Sequence, residues 1–139
     1  MHSKSFFLPV IALILPVALA VRVTYDKFYD NASQDLEALA CANGQHGLEP
    51  LGYKTLGSLP SFPNVGGAAA VSGFNSPSCG SCWQLTFNGT SINVLAVDHA
   101  TEGFNISFAA LNALTKGQGL SLDEIDAEVQ EVQRAECGL

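Results

Sequence analysis

Hydrophobic and polar positions alternate most cleanly after Cys82, where Gln84 and Thr86 separate Trp83, Leu85 and Phe87. A period of two places the three apolar side chains on one face of a strand. Asn88-Gly89 follows, and because both residues tolerate positive φ it predicts a tight hairpin turn. The return segment, residues 92–97, is apolar except at Asn93 and predicts a central strand covered on both faces, closed by Asp98-His99. Asn105 then reads as the N-cap of a helix. Its stripe is Ile106, Ala109, Ala110, Ala113 and Leu114, widened by Phe108 and Leu111 and stopped at Lys116-Gly117. Upstream, Ser33 reads as the cap of a short helix that buries Leu36, Leu39 and Ala40 and ends at Cys41. Residues 43–67, rich in Gly and Pro, predict ordered loops between short strands, with Gly66-Gly67 as a turn. Residues 125–137 stay ambiguous: Ile125, Val129 and Val132 fit a helix, whereas Ile125, Ala127 and Val129 fit a strand.

The N-terminus has a different pattern. Lys4 precedes an uncharged run from Phe6 to Leu19, and Ala18-Leu19-Ala20 supplies the small-x-small signature of a signal peptide. The run is shorter than the ~20 apolar residues a membrane span requires. We therefore expect a leader over residues 1–20 and one mature domain over 21–139, exported from the cell. Without the leader, five basic residues face thirteen acidic ones, for a net charge of −8. The basic residues are scattered, so neither nucleic acid nor an anionic membrane is an expected partner.

All four cysteines, Cys41, Cys79, Cys82 and Cys137, follow the leader. In an exported chain they predict two disulfides with three connectivities open, each bridge contributing ~4 kcal/mol in the chain-entropy model. Cys79-Gly80-Ser81-Cys82 also has redox spacing, but it lacks a charged or histidine neighbour to lower a thiol pKa. The sequons at Asn31, Asn88 and Asn105 are glycosylation candidates.

Little points to conventional catalysis. There is no Gly-x-Ser-x-Gly elbow, and beyond the leader only His46 and His99 are available for triads or zinc. Val65-Gly66-Gly67-Ala68 lacks the lysine and spacing of a phosphate loop. No cofactor and no metal are expected. Asp26 and Asp98 are the candidate carboxylates: across a groove they could act on a glycosidic bond, and otherwise they are solvated strand-end acids or caps. The acidic run Asp123, Glu124, Asp126, Glu128 and Glu131 reads as a solvated face. Tyr25, Tyr29, Tyr53, Phe74 and Asn75 could furnish a polysaccharide surface, or the aromatics could belong to the core.

Several segments together resemble the cerato-platanin family of small secreted fungal proteins. They are Val23-Thr24-Tyr25-Asp26, Ala40-Cys41 with Gly47-Leu48, Gly52-Tyr53 and Gly57-Ser58-Leu59-Pro60. The series continues with Gly66-Gly67-Ala68 and the run from Cys79-Gly80-Ser81-Cys82 through Trp83-Gln84-Leu85-Thr86. Most specific is Val97-Asp98-His99-Ala100, preceded by Ile92-Asn93-Val94-Leu95-Ala96 and followed by Gly103-Phe104-Asn105-Ile106-Ser107; Cys137-Gly138-Leu139 closes the chain.

The resemblance implies a mainly β fold with short helices, a six-stranded double-ψ β-barrel like the N-terminal domain of expansins. It implies Cys41–Cys79 and Cys82–Cys137 bridges and makes the C-terminal segment a strand. It further implies a non-catalytic binder of chitin or N-acetylglucosamine oligomers, associated with the fungal cell wall and able to elicit plant defence, with plant surface receptors as further partners. The alternatives it carries are expansin-like wall loosening or weak glycan hydrolysis through Asp98, and self-assembly into films at interfaces. Tyr25, Asp26, Asn75, Asp98 and Asn105 match groove positions, and Phe74 stands where Trp is common in the family.

Overall fold

In the computed structural model, residues 5–10 and 19–139 are described, so most of the expected leader lies outside the described residues. Six strands form a closed barrel: β1 (Ala20–Tyr25), β2 (Val65–Ala68), β3 (Cys82–Phe87), β4 (Thr90–His99), β5 (Phe104–Ile106) and β6 (Ile125–Val132). Around the barrel they run β1-β5-β2-β4-β3-β6, with β6 paired back to β1. The β1–β5 and β2–β4 pairings are parallel and the others antiparallel. Each of these described strands is paired on two sides, so none is an edge strand over its whole length. This is the mixed six-stranded barrel implied by the resemblance, with short helices around it.

The hairpin forms where the pattern placed it. Asn88 and Gly89 both take positive φ, 45° and 78°, between β3 and β4. Val94 to Val97 are all buried, because β4 lies between β2 and β3 and is covered on both sides. In the C-terminal segment the strand alternation prevails. Ile125 and Ala127 point inward on β6 while Asp126 and Glu128 are exposed. Leu85, Leu95, Ile106, Leu111 and Leu114 are among the largest fully buried side chains.

Three sequence expectations change. Asn105 and Ile106 belong to β5, where Ile106 is buried and paired with both Tyr25 and Gly66. The helix α1 therefore starts later, at Phe108–Leu114, capped by Ser107 Oγ, which accepts from the Ala110 amide at 3.0 Å. Ala109 and Ala113 are exposed, so the inward face is Ala110, Leu111 and Leu114. Lys116 and Gly117, both at positive φ, do end α1, and a single turn, α2 (Gly119–Leu122), follows. The turn near Cys41 is a 3-10 helix, Leu36–Ala38, capped by Asp35 instead of Ser33. Gly66 and Gly67 form no turn. They lie in β2, buried between β4 and β5, where a side chain would meet the neighbouring backbone.

A distant carboxylate completes the start of α1. Asp30 accepts from the Phe108 amide at 2.7 Å and from the Ala109 amide at 2.9 Å. These are two of the donors that a helix start leaves without an intrahelical partner, and a negative charge there also complements the helix dipole. Asp30→Ala should therefore cost about 2 kcal/mol in urea denaturation. A loss below about 0.5 kcal/mol would mean that solvent replaces both bonds without penalty.

Candidate functional site

Strand register assembles one polar row across four strands. Thr24 of β1 pairs with Asn105 of β5, Asn105 with Gly67 of β2, and Gly67 with Asp98 of β4. Partners directly opposite each other share a face of the sheet. Gly67 has no side chain, and the His99 carbonyl and Ala100 fill the space above it, so Asn105 and Asp98 stand on either side of a filled position in the row. Asn105 Oδ1 accepts from the Thr24 hydroxyl at 3.0 Å. Arg22, Thr24, His99, Thr101, Glu102 and Asn105 contribute to an open cleft of about 400 Å³ beside it. Arg22 lies between Glu102, at 3.2 Å, and Glu124.

Asp98 is held from both sides. One carboxylate oxygen accepts from the Tyr29 hydroxyl at 2.9 Å, the other from the Ala40 amide at 3.0 Å. The Ala40 carbonyl in turn accepts from the Asn75 amide at 3.4 Å. Asn75, at positive φ, presents its Oδ1 to the His46 amide at 2.8 Å. One hydrogen-bonded chain thus joins Tyr29, Asp98, Ala40, Asn75 and His46. Asp26 begins the 3-10 turn Lys27–Asp30 that carries Tyr29, and caps it through the Phe28 amide at 2.8 Å.

Burial pushes the Tyr29 phenol well above its ordinary value of 10.0, and the charge of Asp98, its hydrogen bond and the charge of Asp26 add to the shift. The folded state therefore holds this proton more tightly than the unfolded chain does. That stability is complete below the unfolded phenol value and is lost as the pH rises above it. Tyr29→Phe should cost about 1.5 kcal/mol at neutral pH. Thermal melts from about pH 8 to about pH 11 should show the gap between wild type and Tyr29→Phe closing at the alkaline end. A constant gap would show that folding does not raise the phenol pKa.

The residues expected at the site do not all converge. Asp98 and Asn105 share the row, Asn75 reaches Asp98 through Ala40, and Asp26 acts beside Tyr29. Tyr25 alternates to the other side of β1 from Thr24 and packs edge-on against Phe108, with ring centroids 5.1 Å apart. Among the aromatics, Tyr29 is buried while Phe74, next to Asn75, is 68% exposed. Trp83 packs edge-on against Phe104 and donates to Ser81 Oγ at 2.7 Å. Sequence reading missed Thr24, Gly67 and Ala40. The period-two pattern of β1 could have indicated Thr24, but Gly67 and Ala40 act through their backbone and leave no side-chain signal. Of the sequons, Asn31 and Asn88 are exposed, whereas Asn105 is half-buried in β5.

The disulfides are Cys41–Cys79 and Cys82–Cys137, the pairing that the resemblance implies. The two cysteines of the C-x-x-C segment thus enter different bridges. Among the described residues no helix is long and apolar enough to cross a membrane.

A closed, doubly cross-linked mixed barrel with a polar row across four strands defines a class of small disulfide-bonded β-barrel proteins. The cerato-platanin family model matches residues 21–139, and the chain belongs to the cerato-platanin family. A relative described as cerato-platanin, from Ceratocystis fimbriata f. sp. platani, is 45% identical over 112 residues, covering 80% of this chain and 79% of its own. The crystal structure of cerato-platanin 2 from M. perniciosa superposes with a TM-score of 0.82 at 44% identity, covering 86% of this chain and 99% of that one. The solution structure of the fungal elicitor Cerato-Platanin gives a TM-score of 0.76 at 39% identity, covering 84% and 96%.

Proposed function

We propose that the protein is a secreted, non-catalytic binder of N-acetylglucosamine oligomers that acts at the fungal cell wall and elicits plant defence. The mature form would be residues 21–139, released from a leader over 1–20. The observation that carries this reading is the polar row Thr24–Asn105–Gly67–Asp98 beside an open cleft. It offers amide, hydroxyl and carboxylate groups at fixed positions to an uncharged sugar. Asp98 is pinned at both oxygens, which suits a stationary acceptor for sugar hydroxyls better than an acid that must shuttle protons. Two disulfides suit an oxidising, extracellular setting. The elicitor role is supported by a family member whose structure is described as that of a fungal elicitor.

Titration of the oxidised protein with chitin oligomers should shift the NMR signals of Asn75, Asp98 and Asn105, with Tyr25 and Asp26 less affected. Asp98→Asn should weaken binding about tenfold, equivalent to about 1.4 kcal/mol. Binding without shifts at these residues, or unchanged affinity in Asp98→Asn, would place the ligand elsewhere. Cellulose and xylan serve as controls, and a rise in reducing ends over time would overturn the non-catalytic assignment in favour of hydrolysis through Asp98. Self-assembly at interfaces is a separate reading, favoured by the exposure of Phe74, Leu51 and Leu120 and tested by surface tension.

A further inference from the structure

A second polar row lies on another part of the barrel. Gln84 of β3 pairs with Asn93 of β4 on one side and with Gln130 of β6 on the other. Three amides therefore stand in line on one face, about 4.8 Å from strand to strand. The next row on that face is Ser91, Thr86 and Glu128, with the Thr86 and Ser91 hydroxyls 2.7 Å apart. The 3-10 turn Arg134–Cys137, tied down by Cys82–Cys137, walls the other end. The result is an open cleft of about 720 Å³ lined by Gln84, Asn93, Gln130, Glu131, Val132, Gln133 and Glu136.

Three features describe its ligand. Amides donate and accept together, so a row of them matches hydroxyls, which do the same. Asn93 Oδ1 and, in the adjoining hollow, Ser61 Oγ are buried with no hydrogen-bond partner among the described residues. The Asn93 amide donates to the Glu136 carbonyl at 3.5 Å, so the flanking glutamines are the amides free to meet a ligand. The charge is also one-signed: Glu128 on this face and Glu136 at its wall are carboxylates, and none of the lining residues is basic. Arg134 lies close by, but its Nε donates to the Gly80 carbonyl at 2.9 Å. The cleft is thus rich in hydroxyl-matching groups, negative, and without an aromatic platform.

We infer that this face of β3, β4 and β6 is a second glycan site, suited to an amino-sugar chain whose amines are free and protonated. The amides and hydroxyls bond the sugar hydroxyls, and Glu128 and Glu136 attract the ammonium groups. Charge complementarity chooses this occupant: an anionic glycan is repelled, and an N-acetylated one forgoes the ion pairs. The site is additional to the Asp98 face, where neutral oligomers are proposed to bind, and stands or falls separately from it.

The test uses the oxidised protein with glucosamine oligomers and fully N-acetylated oligomers of equal length, followed by NMR at slightly acidic pH. Glucosamine oligomers should shift the side-chain amide signals of Gln84, Asn93 and Gln130, and raising salt from about 20 to about 200 mM should weaken binding about tenfold. Glu128→Gln/Glu136→Gln should weaken it at least about fivefold, while Glu37→Gln/Glu49→Gln, the same charge change elsewhere, and Asp98→Asn should leave it unaltered. Equal losses in the two double variants would mean general attraction to an acidic protein and would overturn the site. So would the absence of shifts in the amide row, or equal shifts there from N-acetylated oligomers.

Discussion

Replacing Cys41 and Cys79 together by alanine should lower stability by about 4 kcal/mol and the melting temperature by about 15 °C. The bridge spans 38 residues, so its loss frees a long loop in the unfolded chain. The native state also loses a local anchor. Cys41 donates its amide to the Val97 carbonyl at 3.2 Å, and Ala40, the preceding residue, holds Asp98. Removal of this bridge should therefore weaken oligomer binding at the Asp98 row as well. The Cys82–Cys137 bridge spans 55 residues and should matter about as much for stability, again about 4 kcal/mol. It lies at the amide cleft, however, and its removal should leave the Asp98 row intact at temperatures where the barrel still folds. Denaturation and oligomer titration of the two double variants separate these effects. A loss below about 1 kcal/mol in either would show that the barrel is held by its core alone.

Gly66→Ala should cost about 3 kcal/mol or more, an upper-end value for overpacking. The added carbon would press on the Asn105 carbonyl oxygen and sit 2.6 Å from Ile106 Cα, both backbone atoms of the adjacent strand. A flexible side chain could swing aside, but a paired strand inside a closed barrel can move only by stretching its other pairings. Displacing β5 would also carry Asn105 away from Gly67 and Asp98. We expect Gly66→Ala to combine a marked drop in the denaturation midpoint with altered signals at Asn105 and Ile106. A near-neutral substitution would show that β5 is free to step outward.

Much of this was legible along the chain. The Asn88-Gly89 hairpin and the buried β4 follow from local rules: turn residues that accept positive φ, and an apolar run that must be covered on both faces. The even number of cysteines pointed to two bridges, and the motif series to the barrel and its pairing. The errors share a cause. Asn105 suits a cap and Ile106 keeps helical spacing with Ala109 and Ala110, yet pairing of Ile106 with Tyr25 and Gly66 claims both residues for a strand. Gly66-Gly67 looks like a turn until neighbouring backbones are seen to occupy the space where side chains would go. Residues 125–132 fitted two periods equally; the motif series favoured a strand, and pairing with β1 and β3 makes it one. Both polar rows belong to the same category. Thr24 and Asn105 are 81 residues apart, and no local pattern announces that they touch. Composition and short-range periodicity determine which segments can be strands, turns or caps, because those preferences are set within a few residues. Which side chains meet is decided by strand register, which depends on closing the whole barrel around its core.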